Sequence, residues 1–409
     1  MAVATWFRTT VRGLPRTFWF LWLGTLINRV GIFVVPFLVL FLTKQRAFSI
    51  IEASFVVSLF GVGSFIAQIL GGITSDRFGR RPTMLLSFFG SSVILLILSQ
   101  THGFWPIALV TLLLGATTDL YRPASSAVIA DVVGRDDRVR AYNLRYWAIN
   151  LGAAIGFALA GFLAERNYLY LFIGDAITTA AFGLIVLFFI PETAPPRHSA
   201  PTDASMPRPS LRELWREERA VFNFTVLFAL LWVGVSAVYD QSHVTMPLAM
   251  AADGFSEAVY GLVAAINGVV IILITLSLNQ ALARYSRFVV LAGGTALIGV
   301  GFGLYAITDS LWLYAVGVVL WTVGELVTSP LTPALIADIS PPARRGFYQG
   351  MMGASYGVAA FVGPNAGAWV YSHWGNSALW LWCMAVALLM ALGFLWILQP
   401  FYDKIKQVG

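Results

Sequence analysis

Seven ionisable side chains sit deep inside stretches that are otherwise apolar: Arg29, Asp119, Arg122, Arg145, Asp175, Asp240 and Glu325. Ionised groups removed from water are costly, and they persist where they pair, move protons or hold a charged solute. Glu325 follows Gly324 and has no cation near it in sequence, so it is the first choice for a carboxyl group that binds and releases protons. Asp240 is the second choice. His243 lies one helical turn further on, which allows a carboxylate–imidazole relay. Asp119 and Arg122 are three residues apart and can neutralise each other, with Asp119 a further proton-coupling candidate. Arg29 and Arg145, with Arg122, are the cations available to a solute. Asp175 reads as a structural cap or pairing partner. Tyr146, Trp147, Tyr239, Gln241 and Trp321 adjoin these charges and are expected to line an amphipathic cavity. All three buried arginines fall in the first half of the chain, whereas the buried charged candidates of the second half, Asp240 and Glu325, are both acids.

The elements that position these groups follow from composition. Of 409 residues, 58% are hydrophobic and 11% charged, with a mean hydropathy of +0.77. A soluble domain carries about 25% charged residues. A bilayer core takes roughly 20 apolar residues per helix. Twelve segments meet that length, at approximately 17–43, 50–74, 82–100, 104–132, 138–164, 168–190, 221–249, 257–278, 287–308, 311–338, 344–371 and 376–399. The expectation is an all-α membrane protein of two pseudo-symmetric six-helix bundles, 1–190 and 221–409, joined by a cytoplasmic linker, 191–220, rich in proline and arginine. Placing both ends in the cytoplasm assigns 20 Lys/Arg residues to inner segments, 3 to outer loops (Lys44, Arg46, Arg166) and 3 to spans. That bias fixes the orientation. It also accounts for the net charge of +6, and basic residues spread over seven loops imply no nucleic-acid partner.

The halves repeat. Pro123-Ala-Ser-Ser-Ala-Val-Ile-Ala-Asp131, then Arg138 and Gly156, recurs 207 residues later as Pro330-Leu-Thr-Pro-Ala-Leu-Ile-Ala-Asp338, then Arg345 and Gly363. The same offset lays Asp76-Arg77-Phe-Gly-Arg80 over Ala283-Arg284-Tyr-Ser-Arg287. Internal repeats in so apolar a chain point to a transporter with its solute path where the repeats meet. Asp131 and Asp338 fall at cytoplasmic span ends and are expected to act as latches on neighbouring loops.

Between the second and third spans the chain reads Gly72-Ile-Thr-Ser-Asp76-Arg77-Phe-Gly79-Arg80-Arg81-Pro82. This resembles motif A of the major facilitator superfamily. The resemblance covers the whole chain and implies that fold and alternating access. Gly72 is expected to permit close helix approach and Asp76 to accept bonds from a neighbouring helix start. Arg77, Gly79, Arg80 and Arg81 complete the cytoplasmic gate. A narrower resemblance is to the LmrP-type drug:proton antiporters, carried by Ile129-Ala-Asp131, Tyr239-Asp240-Gln-Ser-His-Val-Thr-Met-Pro247, Thr322-Val-Gly-Glu325-Leu-Val-Thr-Ser-Pro330 and Tyr146-Trp147-Ala-Ile-Asn150-Leu-Gly152. It implies proton-coupled export of amphipathic or drug-like compounds. Arg145 departs from that family, which has an acid before the Tyr-Trp pair. Gly152, Gly156 and Gly161 match the glycine-rich antiporter motif only in part.

No Gly-x-x-x-x-Gly-Lys-Ser/Thr stretch exists for ATP binding, and the four histidines (102, 198, 243, 373) are scattered, so neither a metal site nor a cofactor is expected. An enzyme is not expected. The one cysteine, Cys383, excludes an internal disulfide. The N-terminal stretch with Arg8, Arg12 and Arg16 reads as a cytoplasmic lead-in, not a cleaved signal. The expected partners are a small-molecule substrate, protons and membrane lipids, with the chain a monomer in a bacterial inner membrane. Two alternatives remain open: proton-coupled uptake of a peptide, organic acid or other zwitterionic or anionic solute, and a non-transporting receptor or lipid scramblase.

Overall fold

The computed structural model describes residues 13–194, 218–282, 284–307, 309–341 and 344–408. The lead-in with Arg8 and Arg12, the linker arginines Arg197, Arg208, Arg212 and Arg216, and Ala283 lie outside the described residues. Those described form helices and turns, with no strand among them. In the first half the helices are α1 (Arg16–Val30), α2 (Val34–Gln45), α3 (Ile50–Phe78), α4 (Arg80–Gln100), α5 (Phe104–Thr118), α6 (Tyr121–Val132), α7 (Arg138–Arg166) and α8 (Leu169–Phe189). In the second half they are α9 (Arg219–Tyr239), α10 (Thr245–Ala252), α11 (Glu257–Leu282), α12 (Arg287–Gly303), α13 (Leu311–Ile339), α14 (Arg345–Gly393) and α15 (Gln399–Val408). Eleven segments among the described residues are long and apolar enough to cross a membrane. The last, Arg345–Lys406, has 62 residues and contains Gly375 at φ +85°. At 1.5 Å per residue it measures about 93 Å, some three bilayer cores. The backbone leaves helical geometry at Gly375, which divides this segment into two helices.

Two compact units result. The first comprises Met1–Ala47, Leu59–Ser199 and Ser256–Val269; the second comprises Phe48–Ser58, Ala200–Phe255 and Val270–Gly409. In the first, α4 packs along α8, and α1 along α7 and α8. Its core is partly aromatic: the Phe88 ring lies 4.2 Å from Phe182 and 4.8 Å from Tyr121, among Phe18, Leu21 and Met84. In the second unit α9 packs along α14, and α12 on α13 and α14. There Phe302, stacked on Trp321 at 5.7 Å and on Trp380 at 6.0 Å, forms the centre.

Glycine sets several of these crossings. A Cβ on Gly63 would strike the Leu112 carbonyl, and one on Gly115 the Phe60 carbonyl, so α3 and α5 meet backbone to backbone. Such small-residue contacts bring helices together where lipid supplies no hydrophobic drive. Gly72, expected to serve this purpose, does not: a Cβ there meets nothing within 4 Å, while one on Gly71 would strike the Leu120 carbonyl. The motif glycine is one position away from the residue that receives the neighbouring helix.

Candidate functional site

Three membrane-depth breaks place the charged groups. The first span stops at Val30 and resumes at Val34, leaving the N–H groups of Phe33 and Val34 without helical acceptors. Both donate to Asp175 Oδ2 at 3.2 Å. The Thr179 hydroxyl donates to Asp175 Oδ1 at 3.3 Å and accepts from Asn28 Nδ2 at 2.9 Å. Asp175 is therefore the cap of α2.

The fourth span breaks between Thr118 and Tyr121, with Asp119 at the break. Arg122 Nε donates to Asp119 Oδ1 at 2.6 Å, and the Ser64 hydroxyl donates to Oδ2. Arg29 donates to the Tyr121 hydroxyl at 3.3 Å. Arg145 donates to the Ser126 hydroxyl at 3.0 Å. Arg29, Arg122 and Arg145 all act electrostatically on Tyr121, and Arg145 is repelled by the other two. The first unit thus gathers three guanidinium groups about one phenol. Sequence reasoning picked the arginines and missed Tyr121 and Ser64; the position of Tyr121 between Asp119 and Arg122 was the available signal.

Arg29 is brought there by α7. A Cβ on Gly152 would lie 2.5 Å from Arg29 Cβ, and one on Gly156 2.8 Å from the Arg29 carbonyl oxygen. Gly161 does the same for α11, whose Glu257 carbonyl would be 2.6 Å from its Cβ. Tyr146 and Trp147 are 42% and 44% exposed, and Trp147 is turned about 200° along α7 from Arg145. The structure does not bring Trp147 to the arginines.

In the second unit the seventh span breaks after Tyr239, passing through a short turn, Asp240–Ser242, before α10. The Asp240 carboxylate takes no hydrogen bond and no ion pair among the described residues, so the expected pairing with His243 is not assembled. His243 instead meets Tyr239 ring to ring at 6.2 Å. Gln241 is not a cavity residue. It is fully buried, its amide donates to the Ala237 and Gly363 carbonyls at 2.8 Å, and its oxygen accepts from Thr245 at 2.9 Å. Its polar atoms are spent pinning the break to α14. Trp321 is likewise packed, 3% exposed, donating to the Tyr305 hydroxyl at 3.1 Å and meeting Tyr239 edge-on at 5.5 Å. Glu325 is half-buried at the middle of α13.

The cluster at the start of α4 corrects one expectation. Asp76 is 80% exposed and, among the described residues, pairs only with Arg80 on its own turn, at 3.5 Å. The start of α4 is capped by Glu192, which sequence reasoning missed. Its two oxygens accept from the N–H groups of Arg80 and Arg81 at 3.0 and 3.1 Å, and Oε1 also from Thr193 and Ala194. Burial pushes the Glu192 carboxyl up, but these four N–H groups outweigh it and hold it below the usual carboxylate range. Gly79, at φ +108°, makes the turn, and a Cβ there would strike the Glu192 carboxylate. Asp131 pairs with Arg80 at 3.2 Å and accepts from Thr193 at 2.8 Å. Arg81 donates to the Leu187 carbonyl, and Arg77 lies over the Phe78 ring. At the 207-residue offset Asp338 pairs with Arg287, and it accepts from Tyr402 of α15 at 3.4 Å.

The model for the Major Facilitator Superfamily matches residues 21–243 and 242–407. The "Na(+), Li(+), K(+)/H(+) antiporter" of Planococcus maritimus is 23% identical over 414 residues, covering 91% of this chain and 92% of that one. The "Tetracycline resistance protein, class B" of Escherichia coli is 24% identical, covering 94% and 96%. Among solved structures, a POT family transporter in complex with 5-aminolevulinic acid superposes with a TM-score of 0.80 over 97% of this chain and 98% of that one, at 16% identity. These relatives are transporters, not enzymes. With the family model spanning nearly its whole length, this multi-pass, all-helical chain belongs to the Major Facilitator Superfamily.

Proposed function

We propose that the chain is a proton-coupled secondary transporter that exports amphipathic, drug-like compounds from the bacterial cytoplasm by alternating access, as a monomer with both ends cytoplasmic. The observation that carries this reading is the pair of carboxyl groups in the second half, Asp240 at a helix break with no hydrogen bond or ion pair among the described residues, and Glu325 half-buried mid-span. A carboxyl group at membrane depth switches between two charge states, and each state favours a different occupant. Open to the outside, Glu325 takes a proton and the solute leaves; open to the cytoplasm, it loses the proton and the solute binds. Such exchange needs a different interaction in each state, which protonation provides. An antiporter and a drug-resistance protein among the relatives support the direction. Asp131 and Asp338, each held by the arginine that begins α4 or α12, fit the role of cytoplasmic latches.

The test is transport in reconstituted vesicles under an imposed pH gradient, read by dye accumulation. Glu325→Gln stands in for the protonated form. It is expected to abolish gradient-driven movement while leaving downhill exchange. Full gradient-driven activity in that variant moves the role to Asp240 or Asp119. Uptake, the alternative, requires the opposite gradient, and a scramblase requires none.

A further inference from the structure

The first unit holds more positive charge than its own carboxylates answer. Arg122 is matched by Asp119 at 2.6 Å. Arg29 and Arg145 form no ion pair among the described residues. The Nε atom of each is buried without a hydrogen-bond partner. Their bonds go to neutral hydroxyls, Tyr121 for Arg29 and Ser126 for Arg145. The other carboxylate whose field reaches Arg29 is Asp175, and its oxygens are engaged by the Phe33 and Val34 N–H groups and by Thr179. Like charges gathered in a poorly polar setting repel one another and have lost their hydration, a cost that an added anion removes. Arg122, with its side chain 44% exposed, marks the side from which a solute reaches the cluster. The glycines at 152 and 156 hold Arg29 in place, so the excess is built into the packing of α1 on α7.

From this surplus we infer that Arg29 and Arg145, with the Tyr121 hydroxyl to which Arg29 donates, form a subsite for an anionic group of the transported solute, a carboxylate on an apolar body. The guanidinium N–H groups supply charge-assisted hydrogen bonds, and Tyr121 supplies a third polar contact. The solute class is then an amphipathic organic acid or zwitterion, not a lipophilic cation. This rests on the export reading only in taking the solute to be amphipathic.

The test is equilibrium binding, with no gradient, to the full chain in nanodiscs of zwitterionic lipid. The probes are a fluorescent arylalkyl carboxylate, its primary amide and the trimethylammonium analogue of the same body. The carboxylate is expected to bind at least about tenfold more tightly than either, the order of a charge-assisted hydrogen bond. Arg29→Gln and Arg145→Gln are each expected to cut that preference while leaving amide affinity within about twofold, and Arg145→Lys to retain part of it. Equal or tighter binding of the ammonium probe to the unaltered protein overturns the subsite without recourse to any variant. So does a preference that survives when both arginines are replaced. Loss of proton coupling in vesicles with the ranking intact would instead count against the export mechanism alone.

Discussion

Glu192 shows how much one side chain settles. The first N–H groups of a helix have no partner within it, and at α4 the acceptor comes from 112 residues away in sequence. Capping contributes about 1 kcal/mol. Because the folded carboxyl titrates below its ordinary range, its contribution is present above the unfolded value of about 4.3 and is lost as pH falls through the folded one. Glu192→Gln is therefore expected to lower thermal stability at pH 7, with the difference from the unaltered protein shrinking as the pH is taken down through the carboxylate range. A penalty of the same size at every pH would show that the negative charge is not what caps α4. Asp76, the acid that the motif presents in sequence, is too exposed to matter in the same way.

At the scale of elements, the broken first span depends on α8. Removing the acceptor, as in Asp175→Ala, leaves the buried Val34 N–H unsatisfied, at roughly 1–3 kcal/mol, and the Phe33 N–H with only the Gly31 carbonyl. Asp175→Asn keeps one oxygen and should recover most of the stability and the transport rate. If the asparagine variant folds normally but no longer transports, Asp175 acts through its charge and the capping account is wrong. The crossing of α1 on α7 makes a parallel demand. Gly152→Ala must push Arg29 outward, and a loss of solute affinity greater than the loss of stability is the expected signature. The breaks themselves were invisible in sequence. Hydropathy runs unchanged through Gly31–Phe33, and the polar run Asp240–His243 does not by itself tell a break from a functional turn of helix. A break at membrane depth is tolerated where the backbone finds partners, and Asp175 and Gly363, the partners here, come from distant helices. The spans were legible because lipid imposes their length and polarity directly. The identity of the polar residues was also legible. Which of them are spent on structure was not, since Gln241 and Trp321 look like site residues until their packing against α14 and Phe302 is seen.

For the whole molecule, the 207-residue offset extends from letters to bonds. Arg80–Asp131 and Arg287–Asp338 occupy equivalent positions, yet the further hydroxyl on each carboxylate differs, Thr193 after α8 in one half and Tyr402 of α15 in the other. Orientation is open to a direct check. Cys383 is fully buried, so an impermeant thiol reagent should leave the unaltered chain unlabelled. A cysteine placed at exposed His102 should label from outside intact cells, and one at exposed Asp136 only after they are opened. The reverse pattern would invert the topology drawn from the arginine bias.

The four-donor grip on Glu192 also leaves a mark in time. Amides in a first helical turn ordinarily trade their hydrogens for solvent deuterium within the dead time of a measurement, since nothing inside the helix protects them. Those of Arg80 and Arg81 are closed off by a carboxylate and should exchange slowly for as long as this fastening holds. Mass-resolved deuterium uptake at the amides of Arg80 and Arg81 then becomes a clock for its release, readable in the native chain without a label or a substitution.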